Sequence, residues 1–304
     1  MTRSTRAKAS LPLKRAAQAA VFAVVCVFWF LYLRQSWHEL STQHWEFQPL
    51  ALTAALLSGA AYWISLALCW HCTHTALGGR LSLQDGLRVW SLSTFARYLP
   101  GNFWHLVGRT YLGEQAGATR LQMLLSFSLE QILTLLGAVI GFVLTLPFWP
   151  AETDRFLPLL LLLPLGLVLI HPAIFLRGVN AGLSLLKRPT LPMAITYRQT
   201  LVLLALYVAP SFFAGCGLYA SLAVITPVVP ARMPMLIGAF AISWTVGYVS
   251  LLTPSGLGVR EGALAALLTP VFGAAAATVG SLLSRLTLTL GEVLVVVFWQ
   301  LRSS

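Results

Sequence analysis

The sequence predicts an all-α polytopic membrane protein, a bundle of about seven to nine membrane segments with broken or re-entrant helices. Three observations carry that expectation. Apolar residues make up 58% of the 304 residues and charged residues only 10%, with a mean hydropathy of +0.79. A soluble domain of this size cannot hide so much apolar surface. The apolar residues gather in long runs rather than short alternating segments, which favours helices over a transmembrane β-barrel. Basic residues concentrate in alternate connections between those runs, as membrane topology requires.

The segments follow in order. Residues 1–15 form a basic N-terminus carrying Arg3, Arg6, Lys8, Lys14 and Arg15. Residues 16–300 form one integral membrane domain, and 301–304 are a short tail. The first run, 16–33, is long for the apolar core of a cleaved leader and is expected to be a retained signal anchor. Trp37, Trp45 and Phe47 in the next loop suit an outer membrane interface. The second run is 49–70. An amphipathic stretch at 83–95 follows, with Asp85, Arg88 and Ser91 spaced at three on one helical face. Runs three and four cover 121–146 and 156–176, and Pro158, Pro164 and Pro172 predict bends in the latter. The fifth and sixth cover 200–225 and 234–252. The C-terminal part admits two readings: a re-entrant hairpin of 262–268 with 272–282, or a kinked crossing at 262–283 followed by 286–301.

The 20 basic and 9 acidic residues give a formal charge of +11. Their placement argues against nucleic acid as the partner. Arg80, Arg88, Arg97, Arg109 and Arg120 lie between the second and third runs, and Arg177, Lys187, Arg188 and Arg198 between the fourth and fifth. This positive-inside pattern puts the N-terminus in the cytoplasm, and it also suits anionic lipid headgroups. Cys69, His71, Cys72 and His74 form a short cluster at a helix end without a second half. Zinc needs about four well-arranged ligands, so packing and interfacial polarity explain the cluster better. Neither metal nor cofactor is expected.

Two polar breaks interrupt the apolar pattern. One is Thr253-Pro254-Ser255-Gly256-Leu257-Gly258-Val259-Arg260-Glu261-Gly262. Charges at membrane depth are costly unless they line a polar cavity or reach the surface. Gly256 and Gly258 permit positive backbone dihedrals, Pro254 stops the incoming helix, and Arg260 offers a planar donor group for phosphate. The plainer reading is a helix start, capped by Ser255 or Thr253 with Glu261 in its first turn. The other break is Arg97-Tyr98-Leu99-Pro100-Gly101-Asn102-Phe103-Trp104-His105. Two such breaks in one small bundle point to a shared cavity, as broken helices do in transporters. Glu130, Arg285 and Glu292 are the charges expected inside the bundle. Arg285 and Glu292 stand two turns apart on one face, and Glu130 is expected to pair with Arg285. Trp63, His71, Tyr111, Gln131 and Tyr248 read as interfacial or helix–helix contacts.

The two motifs in this order resemble the lysylphosphatidylglycerol synthase transmembrane-region family, also called flippase-like domain proteins, over about residues 16–299. Its Pro-Gly element corresponds to Pro100-Gly101, and its Gly-x-Gly-x-x-Glu element to Gly256, Gly258 and Glu261. Ser255 stands where many members have Gly. In two-part members the membrane domain is regarded as moving aminoacylated phosphatidylglycerol between leaflets. Stand-alone members handle other lipids, such as polyprenyl-phosphate carriers. This chain leaves no room for the soluble aminoacyltransferase domain, so lysyl-lipid synthesis is not expected.

The resulting expectation is a lipid translocase acting on an anionic or zwitterionic phospholipid or a polyprenyl-phosphate-type lipid. Arg97, Pro100, Gly101, His105, Gly256, Gly258, Arg260 and Glu261 would bind the cargo, with Glu130, Arg285 and Glu292 as a polar network. No Gly-rich loop ending in Gly-Lys-Ser/Thr marks an ATP site. Two other classes compete: a membrane enzyme acting on a lipid phosphate, and a non-catalytic partner of a lipid or cell-envelope biosynthesis enzyme. An enzyme would need a base or a metal carboxylate cluster in reach. A partner protein would lack a headgroup-sized cavity.

Overall fold

A computed structural model describes residues 47–98, 104–149, 161–185, 195–250, 256 and 258–302. The expected first run at 16–33 and the N-terminus lie outside them, as do Pro100, Gly101, Pro254, Ser255 and the start of the fourth run. The described residues are helical, with no strand among them. The helices are α1 (Pro49–Ala76), α2 (Leu83–Thr94), α3 (Trp104–Gln115), α4 (Arg120–Thr145), α5 (Leu162–Leu169), α6 (Pro172–Leu185), α7 (Tyr197–Leu206), α8 (Ala209–Ala223), α9 (Met233–Val249) and α10 (Val259–Leu301).

Four stretches are long and apolar enough to cross a membrane: Pro49–Ala76, Arg120–Phe148, Tyr197–Ala223 and Val259–Leu301. A fifth is possible by length and composition if α5 and α6 count as one span, bent by 70° at the break before Pro172. That bend is where the sequence predicted one, because proline removes a helix hydrogen bond. Local chemistry sets several helix starts. Pro49 occupies the first turn of α1, where its missing N–H costs nothing. Thr119 and Gln122 cap α4 reciprocally, and Thr196 and Gln199 do the same for α7.

Three expectations are corrected. The second run continues to Ala76 rather than stopping at Trp70, because the helix carries its polar last turns onto α2. The fifth run is two helices, α7 and α8, with a turn at Tyr207-Val208 just ahead of Pro210. In the C-terminal part neither expected division holds. The chain is helical through Pro270 and breaks at Gly273, whose φ of 79° and ψ of 160° are open to glycine. The leg 259–272 is roughly 21 Å long and the leg 274–301 roughly 42 Å, at 1.5 Å per residue. The leg 274–301 is long enough by itself to cross about 30 Å of hydrocarbon, whereas the leg 259–272 is not.

α1 lies at the centre, packed on α8 and α10, with α9 wedged between α8 and α4. Its crossing with α10 is set by small residues. A Cβ on Gly59 would lie 2.9 Å from the Thr287 carbonyl oxygen, and one on Gly291 2.6 Å from the Ala60 nitrogen. Backbones that close gain dispersion contacts where lipid supplies no hydrophobic drive between helices. The Trp63 indole N–H donates to the Leu288 carbonyl at 2.8 Å and fixes the register of the two helices. One apolar core joins α1, α2, α8, α9 and α10 around Trp70, Leu218 and Phe240. A second lies between α4, α6 and α7 around Leu133, Leu136 and Tyr207.

Candidate functional site: a cavity lined by four arginines

A cavity of about 380 Å³ opens where α1, α2, α3, α4, α9 and α10 meet. Arg97, Arg109, Arg260 and Arg285 all line it, along with Glu130 and His105. The two polar breaks thus converge: Arg97 and His105 flank the first, and Gly256 and Arg260 belong to the second.

Arg97 sits in the 3₁₀ turn that follows α2, Phe95–Tyr98. Its guanidinium forms an ion pair with Glu292 of α10. The same group lies 4.2 Å from the centroid of the Trp63 ring, a cation–π distance. Trp63 is therefore both a helix–helix contact, as expected, and part of the cavity wall.

Arg109 is the residue that sequence reasoning misplaced. Counted there among the basic residues of a cytoplasmic loop, it is 2% exposed. It forms an ion pair with Glu130, and also donates to Ser93 Oγ at 3.2 Å and Thr94 Oγ1 at 2.9 Å. The other Glu130 oxygen accepts from the Trp90 indole. Burial of a charge demands this full set of partners. Glu130 consequently does not pair with Arg285, as the sequence had suggested; the partner comes from α3. His105, Arg109 and Gly113 recur every four residues on α3, so one face is polar where the helix enters the bundle. Gly113 there allows Met123 of α4 close.

At the second break, Gly256 has φ of 66° and Gly258 φ of 84°, as their glycine identity predicts. Gly258 precedes α10, and its N–H donates to Glu261 Oε2 at 2.7 Å. Glu261 therefore stands in the first turn, as the helix-start reading expects, but the N-cap is Gly258 rather than Ser255 or Thr253. Its other oxygen, Oε1, faces Arg285 Nε at 3.6 Å. Arg260 points elsewhere. It is 9% exposed, lies 4.5 Å over the Phe240 ring, and makes no ion pair or hydrogen bond with any described residue. Its close seat against α9 depends on Gly247, where a Cβ would fall 2.9 Å from Arg260 Cβ.

The remaining wall is aromatic and neutral. Trp244 and Tyr248 stack at 5.0 Å, and the Tyr248 hydroxyl donates to Gln131 at 3.0 Å. Gln131 and Tyr248 thus form a helix–helix contact, as expected, and also line the cavity. His105 packs on Phe127 at 5.1 Å. Burial first, then the positive charges of Arg109 and Arg97, push its imidazole down to about 4, so it is neutral near pH 7. Tyr111 is exposed, and His71 lies away from the cavity. Cys69 donates weakly to the Leu206 carbonyl, and His74 stacks on Trp70, both as helix contacts.

No protein-family model matches the chain, and no curated protein matches it.

Proposed function

We propose that this chain binds the phosphate of a phospholipid-like or polyprenyl-phosphate-type lipid and moves that lipid between membrane leaflets. The observation that carries the proposal is the convergence of both polar breaks, with four guanidinium groups, on one cavity inside an apolar helical bundle. Guanidinium groups match phosphate oxygens in geometry and keep their charge when desolvated. A cavity between helices of this composition lets a headgroup leave water while its tails stay in hydrocarbon. Arg97 and Arg260 would hold the phosphate, and Glu130, Glu261, Arg285 and Glu292 would keep the walls charged at tolerable cost. Gly256 and Gly258 shape the second break.

The same reading puts the N-terminus in the cytoplasm, on the strength of the alternating basic connections, and takes the bacterial inner membrane from the flippase-like resemblance. It counts 16–33, α9 and the short leg of α10 with the apolar spans, within seven to nine segments. The translocation step of the proposal comes from the flippase-like resemblance of the two breaks. The enzyme reading gains little, since an imidazole with a pKa of about 4 is a weak base at neutral pH. The partner-protein reading anticipates no headgroup-sized cavity.

The test is reconstitution into liposomes carrying a labelled phospholipid, with leaflet exchange followed by reduction of the outer label. Wild-type protein is expected to accelerate exchange, and Arg260→Ala to lose most of it. No acceleration with any envelope lipid would remove the translocase reading. Full exchange in Arg260→Ala would remove the phosphate role of that residue.

A further inference from the structure

Among the described residues, the charges around the cavity do not cancel. Three of the four guanidinium groups have a carboxylate: Arg97 with Glu292, Arg109 with Glu130, and Arg285 with Glu261. Arg260 has none among the described residues, although it is nine-tenths buried and lines the cavity. The two segments that complete the breaks, 99–103 and 251–255, contain only Leu, Pro, Gly, Asn, Phe, Thr and Ser, and so add no charge. His105 is neutral at physiological pH. Among the described residues, four positive groups against three negative ones leave a single positive charge, and Arg260 is the guanidinium without an ion pair.

We infer that the cavity selects a lipid headgroup of net charge −1, a single phosphodiester without a compensating ammonium. The inference rests on the headgroup reading proposed above. A bare charge in a low-dielectric site is costly, and a ligand that neutralises it removes that cost. One phosphodiester anion brings Arg260 to neutrality and leaves the three ion pairs intact. A zwitterionic headgroup leaves the cavity at +1, and its ammonium finds each carboxylate already facing an arginine. A phosphomonoester or a diphosphate brings about two charges or more and overshoots. An aminoacylated phosphodiester of net positive charge adds to the excess. The neutral part of the wall, with Gln131, Thr134, Tyr248 and Trp244, suits hydroxyl groups better than a second charge.

The experiment uses the full-length protein in nanodiscs of uncharged carrier lipid. Phosphatidylglycerol, phosphatidylethanolamine, phosphatidic acid and diacylglycerol are each titrated against a fluorescent lipid probe. Phosphatidylglycerol is expected to compete at least about tenfold better than each of the others. Glu292→Gln raises the remainder to two charges, and its preference is expected to move toward phosphatidic acid. If phosphatidylethanolamine or phosphatidic acid competes as well as phosphatidylglycerol on wild-type protein, the charge inference is overturned while the headgroup site stands. If no phospholipid competes better than diacylglycerol, which lacks phosphate, the headgroup reading itself fails. An unchanged order of preference in a folded Glu292→Gln protein also overturns the charge inference.

Discussion

Arg109→Leu tests whether the α2–α3–α4 corner is held by one buried network. Arg109 and Glu130 are 2% and 3% exposed. Removing the guanidinium leaves Glu130 buried with only the Trp90 indole, and it strips Ser93 and Thr94 of their donor. Breaking a buried pair from one side costs about 3–5 kcal/mol, because the partner charge stays desolvated. Chains of 150–250 residues lose about 2–4 °C of Tm per kcal/mol, so the expected drop is roughly 6–20 °C. The double variant Arg109→Leu/Glu130→Leu removes both charges and is expected to regain most of that loss. Unfolding would be followed in detergent by intrinsic tryptophan fluorescence, to which Trp90 contributes directly. A drop below about 2 °C in the single variant, or a double variant no better than the single, would refute the network argument.

Three further outcomes follow from the same geometry. Gly291→Ala places a methyl group against the backbone of α1, which cannot yield, and should cost about 1–3 kcal/mol in the same assay. Gly217→Ala meets only Ser58 Cβ at 3.5 Å and should be tolerated. Trp63→Phe keeps a ring under Arg97 but loses the N–H to Leu288, for a loss of about 1 kcal/mol. Trp63→Leu removes the ring as well and should weaken lipid competition more than Trp63→Phe does. His105 governs the pH response. An ordinary imidazole would gain charge as pH falls through about 6.5 and strengthen anion binding there. With its pKa near 4, His105 stays neutral, so affinity should show no His105-dependent rise between pH 7.5 and 5.5. A several-fold rise in that window, abolished by His105→Gln, would count against the buried neutral imidazole.

The helical bundle was legible because its signal is compositional and long-range. Runs of apolar residues survive any detail of packing, and Pro172 marks its bend locally. Gly273 did not announce the C-terminal break, since it sits among good helix formers and Pro270 nearby is the stronger punctuation. The turn at Tyr207-Val208 was hidden for a related reason: apolar composition continues across it unchanged. At the site, Arg97, Arg260 and Glu261 were legible through the breaks that carry them. Arg109 was not, because a basic residue between two apolar runs reads as a topology signal until packing buries it. Pairing was the least legible property. Glu130 meets Arg109 rather than Arg285 because α3 folds back against α2 and α4, and no spacing along the chain encodes that return.

The adjacent Arg260 and Glu261 illustrate how the second break divides its labour. Neighbours on a helix point about 100° apart, and of these two Arg260 lines the cavity while Glu261 does not. Glu261 turns back to the Gly258 N–H and toward Arg285, satisfying a first-turn donor and keeping a second charge in balance. Arg260 is left on the cavity face with only the Phe240 ring beneath it. An arginine paired with its own neighbour would present a neutral surface to any ligand. Here the carboxylate turns to the backbone and to Arg285, while the guanidinium makes no ion pair with a described residue, and this separation is what the proposed anion site requires.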